Sequence, residues 1–284
     1  MGRGASRSSQ PNQPVPIASA GVFAGYDVKG RGERDVLRDV TLDVEAGELT
    51  IVIGPNGSGK STLLRVLSGT VRARLGTVRL FGRDVSEMPR RDVARRVALV
   101  SQANEVAFGY RVEQVVMMGR SPHQGGLQLA TRDDLHAARE AMGKTGVLAL
   151  AGRPVAELSG GEQKLVALAR AFAQRTDVLL LDEPSAHLDP RHAVELFELV
   201  ASEVHRRGLA CVAVAHDLNL AAAFADRVVL IENGAVRASG SVDDVMTPAN
   251  LAAVFGAELE VRAHADGRFF VPRRNQRPPE GRAE

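Results

Sequence analysis

The stretch Glu48-Leu-Thr-Ile-Val-Ile-Gly-Pro-Asn-Gly-Ser-Gly-Lys-Ser-Thr62 joins an apolar run to a glycine-rich loop. After the loop, apolar residues recur at helical spacing through Ser68, so the segment predicts a strand, a loop and a helix. The loop fits the pattern G-x4-G-K-[ST], in which glycines let backbone N–H groups surround an anion and the helix N-terminus adds positive potential. The expected phosphate-binding residues are Gly54, Pro55, Asn56, Gly57, Ser58, Gly59, Lys60, Ser61 and Thr62.

Three side chains of this loop have distinct expected roles. Lys60 should reach the β- and γ-phosphates of a nucleotide, and Ser61 should supply a hydroxyl ligand to Mg²⁺. Thr62 should add a polar contact near the α-phosphate. The loop therefore predicts a site for a nucleoside triphosphate with its magnesium ion.

Two adjacent carboxylates follow a second apolar run, Val178-Leu-Leu-Leu-Asp-Glu-Pro184. The run predicts a strand buried in a sheet, with the two acids at its carboxyl end beside the phosphate loop. Asp182 would hold Mg²⁺ directly or through water, and Glu183 would orient or polarise the water that attacks the γ-phosphate. Together with the loop, this pair predicts a P-loop NTPase, a class that includes kinases, GTPases and helicases.

A third motif, Leu158-Ser-Gly-Gly-Glu-Gln163, separates these classes. It precedes a predicted helix, with Ser159 at the N-cap and Glu162 completing a capping box. The motif is also the LSGGxQ signature of ATP-binding cassette (ABC) ATPases, and the chain resembles that family over roughly residues 17–260. The resemblance implies an enzyme that binds ATP with Mg²⁺ and hydrolyses it to drive transport across a membrane.

The resemblance also implies a homodimer of cassettes. Ser159, Gly160 and Gly161 would bind the γ-phosphate of an ATP molecule held by the phosphate loop of the partner subunit. A helix N-terminus suits that task, because its N–H groups and the serine hydroxyl stabilise a phosphate. Asp189 matches the aspartate of the family's D-loop, whereas His187 replaces a commoner alanine and its role is left open.

Three further positions match the family in order. Gln102 resembles the Q-loop glutamine, which contacts Mg²⁺ and the attacking water and relays the nucleotide state to the permease. His216 resembles the switch histidine, which hydrogen-bonds the γ-phosphate, although a purely structural histidine is the alternative. Tyr26 is the expected adenine-stacking aromatic, with Phe23 as its rival and a place in the core as the alternative.

The order of elements predicts an α/β fold, a P-loop NTPase cassette of the ABC type with a mixed β-sheet core and an N-terminal antiparallel β region. The segment of about 88–158, rich in helix formers, predicts an inserted α-helical subdomain. We expect the ATPase domain at 17–260, between a disordered basic tail at 1–16 and a C-terminal extension with a basic tail at 261–284.

Charge and hydropathy exclude several classes of protein. The chain of 284 residues has a formal net charge of +2, and its two tails hold six arginines against two glutamates. The part between the tails is therefore slightly acidic, and no nucleic-acid partner is expected. No apolar run reaches the length of a membrane span, and no apolar segment follows the first arginines. Cys211 lies in an apolar run and is expected to be a core residue.

Finer features indicate one branch of the family. The chain holds one cassette and no fused membrane segment, which favours a subunit that works under a separate permease. The segment Met117-Met-Gly-Arg-Ser-Pro-His123, together with 183–192 and 216–221, is similar to ATPases of importers for iron–siderophore complexes, haem and cobalamin. We therefore expect a peripheral protein at the cytoplasmic face of the inner membrane, which meets a substrate-binding protein only indirectly through the permease subunits. A soluble ABC ATPase that acts in translation or DNA repair is the alternative.

Overall fold

The computed structural model describes residues 14–28, 32–101, 109–125, 129–256, 259–264 and 267–272. Its strands are β1 (Ile17–Val28), β2 (Gly32–Val44), β3 (Glu48–Ile53), β4 (Leu75–Leu80), β5 (Arg83–Asp84), β6 (Val97–Val100), β7 (Val178–Asp182), β8 (Ala210–Val214), β9 (Arg227–Glu232), β10 (Ala235–Gly240), β11 (Leu259–His264) and β12 (Gly267–Pro272). Its α-helices are α1 (Lys60–Leu67), α2 (Arg90–Arg96), α3 (Val112–Met117), α4 (Arg132–Lys144), α5 (Gly160–Ala173), α6 (Pro190–Arg207), α7 (Leu218–Phe224), α8 (Val242–Val245) and α9 (Pro248–Phe255).

The central sheet has six strands in the order β10-β9-β3-β8-β7-β6. Its pairs are parallel except for β9 with β10, which is antiparallel. β7 and β8 are buried along their whole length, because one apolar cluster covers each face of the sheet. The helix α6 connects the parallel strands β7 and β8 and so forms a β-α-β crossover.

A second sheet of four strands, in the order β2-β1-β4-β5, is built from the N-terminal part of the chain. β1 pairs antiparallel with both β2 and β4, which confirms the predicted antiparallel region. Its inward side chains share an apolar cluster with α1 and with one face of the central sheet. The phosphate loop, which precedes α1, is therefore supported by two sheets.

Three helices, α3, α4 and α5, pack against one another on the other side of the central sheet. A buried arginine joins them: Arg120 donates from Nε to Asp134 Oδ1 in α4 and from Nη1 to the carbonyl oxygen of Ala173 in α5, both at 2.9 Å. Thr131 and Asp134 form a capping box at the start of α4. Hydrogen bonds of Asp134 with Thr131 and Arg120 outweigh the opposing effect of burial and lower the pKa of Asp134 to about 2.

The segment predicted to be helical, about 88–158, differs from the structure in one respect. It contains β6, which pairs with β7 at the edge of the central sheet. The four residues of β6 follow directly on α2, so the apolar run was too short to separate a strand from the end of a helix. The helices that pack together therefore begin after β6 and extend through α5.

The chain also forms a hairpin of β11 and β12 that the sequence did not predict. It lies at the start of the segment expected to be a C-terminal extension. Most of the two predicted tails, 1–13 and 273–284, lies outside the described residues. Within the ranges given above, no helix has the length and apolar character that a bilayer crossing requires.

Gly119, in the 3-10 turn Met118–Arg120 that follows α3, should be required for the close packing of that turn against α5. A Cβ atom at this position would lie 2.1 Å from the carbonyl oxygen of Arg170. We expect Gly119→Ala to lower the free energy of unfolding by about 2 kcal/mol, since the backbone must shift to admit the methyl group. Denaturant unfolding followed by circular dichroism measures the effect.

Gly143 in α4 supplies the matched control, because a Cβ there meets no atom within 4 Å. Gly143→Ala should leave stability unchanged or raise it by up to about 1 kcal/mol, the difference in helix propensity. Equal stability of both variants and the wild type would contradict the packing constraint at Gly119.

Candidate functional site

The phosphate loop connects the end of β3 to the start of α1. Gly59 caps α1 with a φ of 102°, a backbone conformation that side chains disfavour. At Gly54, a Cβ would lie 2.2 Å from the carbonyl oxygen of Ile231 in β9. Both positions therefore require glycine, and they hold the loop at the helix N-terminus, where the helix dipole favours an anion.

The ammonium group of Lys60 bonds to the loop itself. Its Nζ donates to the carbonyl oxygens of Gly54 at 2.9 Å and Pro55 at 2.8 Å. Burial lowers the pKa of Lys60, while the carboxylates of Glu183 and Asp182 oppose that shift. Because Lys60 is only 6% exposed, water screens its charge less than that of a surface lysine.

Ser61 and Asp182 meet between the phosphate loop and the end of β7. The hydroxyl of Ser61 donates to Asp182 Oδ1 at 2.9 Å. Burial raises the pKa of Asp182, the bond from Ser61 lowers it, and the neighbouring Glu183 raises it again. A hydroxyl and a carboxylate are the hard oxygen ligands that Mg²⁺ prefers, so this donor set fits the ion that the sequence predicts.

Glu183 and His216 form a pair at the same edge of the sheet. Glu183 follows β7 with a φ of 50°, and His216 follows β8 after Ala215. His216 Nε2 donates a hydrogen bond to Glu183 Oε1. The carboxylate is 14% exposed and the imidazole 44% exposed, so the pair faces the solvent mainly through the histidine.

These groups surround one pocket of about 400 Å³. The structure therefore brings together the loop, the second acid and the histidine, as the motifs predicted. The lining of the pocket also includes Val36 of β2. Nothing in the sequence indicated this position, because Val36 is an apolar residue within a predicted strand region. The lining residues are Val36, Asn56, Gly57, Gly59, Lys60, Ser61, Thr62, Glu183 and His216.

Tyr26 is the aromatic residue beside the loop. Its hydroxyl lies 3.5 Å from Thr62 Oγ1 and accepts a hydrogen bond from Arg65 Nη1 at 3.2 Å. The side chain is exposed rather than part of the core. Phe23 instead lies opposite Leu75 in the ladder of β1 and β4. The position of Tyr26 favours it over Phe23, and its contact with adenine stays a prediction.

The signature serine caps α5 as predicted. Glu162 Oε2 accepts hydrogen bonds from the backbone N–H and the hydroxyl of Ser159, both at 2.8 Å, and Ser159 Oγ accepts from the N–H of Glu162 at 3.3 Å. The bonds from Ser159 lower the pKa of Glu162. Ser159, Gly160 and Gly161 are not among the described residues that line the pocket. The signature thus belongs to another surface of the chain.

The predicted D-loop residue has a local role in the structure. Asp189 caps α6 by accepting from the N–H of His192 at 3.0 Å and pairs with the ring of His192 at 2.6 Å. His187, whose role was left open, has a φ of 66°. Gln102 lies outside the described residues, so its predicted contact with Mg²⁺ and water stays a prediction.

One edge of the central sheet therefore carries the phosphate-binding and acidic groups of a nucleoside triphosphatase. The sequence model of the family described as "ABC transporter" matches residues 37–186, which include the loop, the signature and the two acids. That match spans more than half of the chain. The chain belongs to this family, and it is an ATPase of the cassette type.

Relatives that align with more than four-fifths of this chain agree with this assignment. The chain is 46% identical to the "Hemin import ATP-binding protein HmuV" of Rhodococcus jostii, with 93% of this chain and 90% of that protein aligned. It is 43% identical to the "Cobalamin import ATP-binding protein BtuD" of Halobacterium salinarum, over 84% of this chain and 59% of that protein. It is 37% identical to the "Iron(3+)-hydroxamate import ATP-binding protein FhuC" of Bacillus subtilis, over 82% and 86%.

Solved structures agree on the fold. One chain from an ABC transporter in an inward-facing conformation superposes with a TM-score of 0.79 at 25% identity, covering 93% of this chain and 99% of its own length. A dimeric bacterial ABC transporter cassette superposes with a TM-score of 0.71 at 24% identity, covering 80% and 98%. The predicted cassette fold is thereby confirmed.

The charge on Asp182 should destabilise the nucleotide-free protein. Because burial raises the pKa of Asp182 above its unfolded value, folding favours the protonated carboxyl, and stability is lost as the pH rises through the folded pKa. We expect Asp182→Asn to raise the thermal unfolding midpoint at neutral pH, to flatten its pH dependence, and to abolish ATP hydrolysis.

Ser61→Ala is the matched variant with the opposite expected sign. It removes the hydrogen bond that lowers the pKa of Asp182, so the midpoint at neutral pH should fall. Thermal unfolding between about pH 4 and pH 8 spans the range in which a raised carboxyl pKa acts. A lower midpoint for Asp182→Asn than for the wild type would contradict this account of the site.

Proposed function

We propose that this chain is the ATP-hydrolysing subunit of an importer that moves an iron chelate, haem or cobalamin through a separate membrane permease. The observation that carries the catalytic part is the pocket in which Lys60, Ser61, Glu183 and His216 meet, with Asp182 bonded to Ser61. The names of the relatives, which are import ATP-binding proteins for hemin, cobalamin and iron(3+)-hydroxamate, support the direction of transport and the class of cargo.

Each side chain of the pocket has a task in ATP hydrolysis. Lys60 binds the β- and γ-phosphates, because its ammonium group is held against the loop carbonyls beside the N-terminus of α1, which also attracts phosphate. Ser61 and Asp182 hold Mg²⁺, with Gln102 as a third ligand. When bound, the ion neutralises charge on the phosphate oxygens. Tyr26 stacks on the adenine from its position beside Thr62.

Glu183 acts on the attacking water. Its carboxylate can accept a proton from that water or orient it toward the γ-phosphate. His216 holds Glu183 in place through the Nε2 hydrogen bond and supplies a donor that can also reach a phosphate oxygen. The pair therefore resembles a base and its orienting group.

The site is completed by a second copy of the chain. Ser159, Gly160 and Gly161 present a helix N-terminus, yet they do not line the pocket of their own chain. In the proposed homodimer they bind the γ-phosphate of the ATP on the partner, and Asp189 lies near the same contact. The two cassettes then enclose two ATP molecules, and hydrolysis lets them separate.

The remaining assignments follow from the importer proposal. The cassette, at about 17–260, sits at the cytoplasmic face of the inner membrane as a peripheral subunit, and the helical part that includes α3, α4 and α5 transmits closure to the permease. A substrate-binding protein is reached only through the permease. The cassette itself contacts no cargo.

Glu183→Gln tests the catalytic part of the proposal. The amide cannot take a proton from water, so we expect hydrolysis to fall at least on the order of a hundredfold while ATP affinity is kept. The ATP-bound variant should therefore accumulate as a dimer, measured by size-exclusion chromatography with light scattering, and ADP should leave it monomeric.

A second variant tests whether the signature segment forms the dimer contact. Ser159→Glu in the Glu183→Gln background puts a carboxylate at the proposed γ-phosphate contact, so the dimer should be lost while the monomer still binds ATP. A Glu183→Gln protein that hydrolyses ATP at the wild-type rate would remove Glu183 from its role. A dimer that survives Ser159→Glu would move the interface elsewhere.

Copurification tests the transport part. We expect the tagged protein, extracted with mild detergent from membranes of the native cell, to bring down a polytopic permease, which mass spectrometry identifies. The binding protein encoded with that permease would then be tested for binding of iron chelates, haem and cobalamin. Ribosomes or DNA-repair proteins in place of a permease would overturn the transport assignment and leave the ATPase intact.

A further inference from the structure

The hairpin of β11 and β12 packs against α7, the short helix that follows His216. The backbone N–H of Phe270 in β12 donates to the side-chain Oδ1 of Asn219 at 2.8 Å. Phe270 is 5% exposed and belongs to the main apolar core, so the donor is held firmly. A hydrogen bond therefore joins the C-terminal hairpin to a residue three positions after His216.

Asn219 is held on its other side by the residue next to the histidine. Asp217 caps α7, and its Oδ1 accepts from the N–H of Asn219 at 2.7 Å and from that of Leu220 at 3.1 Å. Asn219 thus accepts from the hairpin and donates to Asp217. The chain of contacts runs from Phe270 through Asn219 and Asp217 to His216.

Partly buried side chains supply most of the packing of α7. Of its seven residues, all of them described, Ala221 is the one that is fully buried, and Leu218 and Leu220 at its start pack partly buried against the core. At its far end, the ring of Phe224 stacks on that of Phe197 in α6 with centroids 5.6 Å apart. A cavity of about 480 Å³ lies between α7 and the start of α6, and the residues that line it include Glu183, His216 and Phe269.

A short helix that is only partly buried can shift at modest cost unless hydrogen bonds hold its start. The hydrogen bond from Phe270 to Asn219 acts at that end, on the side of the hairpin. The hairpin has other attachments, since Arg268 pairs with Asp243 of α8 at 3.0 Å and β11 packs against α9. It is therefore a fixed support and does not depend on α7 for its own position.

We infer that the C-terminal hairpin positions the switch histidine, with Asn219 as the positioning residue that joins Phe270 to the start of α7. The inference rests on the proposed role of His216 in hydrolysis. Asn219 does not touch the nucleotide; it holds the segment that carries His216, and so keeps the Nε2 donor aimed at Glu183 and the γ-phosphate. Loss of the bond lowers the fraction of molecules in which this geometry exists.

Three variants of the full chain distinguish loss of the Asn219 acceptor from other changes at Asn219 and from changes elsewhere on the hairpin. Asn219→Leu removes the acceptor at similar volume and keeps a helix-forming residue. We expect it to lower kcat for ATP hydrolysis by about fivefold to tenfold, the effect of one lost hydrogen bond, with KM for ATP within about twofold. Asn219→Asp keeps an oxygen in the same place and should return most of kcat. Val271→Ser, at an exposed position of the same hairpin, should behave as the wild type.

Hydrogen exchange gives a readout that does not depend on activity. Asn219→Leu should increase exchange in residues 216–224 and leave the central strands unchanged. Faster exchange throughout the protein would overturn the inference, because it would show a general loss of stability. An unchanged kcat in Asn219→Leu would overturn it as well.

Single-turnover rates measured in the His216→Ala background distinguish a failure of this inference from a failure of the proposed function. If Asn219 acts through the histidine, adding Asn219→Leu to His216→Ala should leave the residual single-turnover rate unchanged. A further full drop in that rate would overturn the positioning role while the role of His216 stands. Wild-type hydrolysis by His216→Ala alone would overturn the proposed function of the histidine, and the inference with it.

Discussion

The register of three parallel strands determines the catalytic site. Val52 of β3 and Asp182 of β7 both stand opposite Val214 of β8, so the three strands end level with one another. The residues that follow, Gly54, Glu183 and His216, then emerge at the same edge. A slip of one residue between any two strands would turn one of these groups into the apolar layers on the faces of the sheet. The buried strands are what prevents that slip, because every residue of β7 and β8 is packed on one face or the other.

The burial that fixes the register also sets the electrostatics of the pocket. It lowers the pKa of Lys60 and raises that of Asp182, so each group is less favourable as an ion than it would be in water. The two groups partly compensate each other, and the hydroxyl of Ser61 stabilises the carboxylate. This electrostatic cost falls at the proposed site for phosphate and metal, where charges that are weakly screened by water would act most strongly.

Local motifs and apolar runs were sufficient to predict the phosphate loop, the two acids and the strands β3 and β7 that lead to them. A loop such as 54–62 carries its geometry in adjacent residues, and the four apolar residues of β7 were identifiable as a strand because two adjacent acids follow them. Features that depend on distant partners could not be predicted. β6 becomes a strand because β7 offers an edge to pair with, and Asn219 meets Phe270 across 51 residues of sequence. Val36 lines the pocket for a similar reason: it depends on how one sheet lies against the loop.

The signature segment, which the structure describes in full, does not line the pocket of its own chain, and in the proposed dimer it would complete the site of the partner. The hydroxyl and N–H of Ser159 are already satisfied by Glu162, whose carboxylate occupies the helix N-terminus. By helix geometry, the N–H groups of Gly160 and Gly161 in the first turn have no partner within α5. A Cβ on Gly160 would meet no atom within 4 Å, so the approach to this residue is open, whereas a Cβ on Gly161 would lie 3.5 Å from Leu188. In the proposed dimer they are the donors that the γ-phosphate meets first. The capping box keeps them in place before the partner arrives, and closure therefore requires two preformed surfaces to approach rather than a loop to refold.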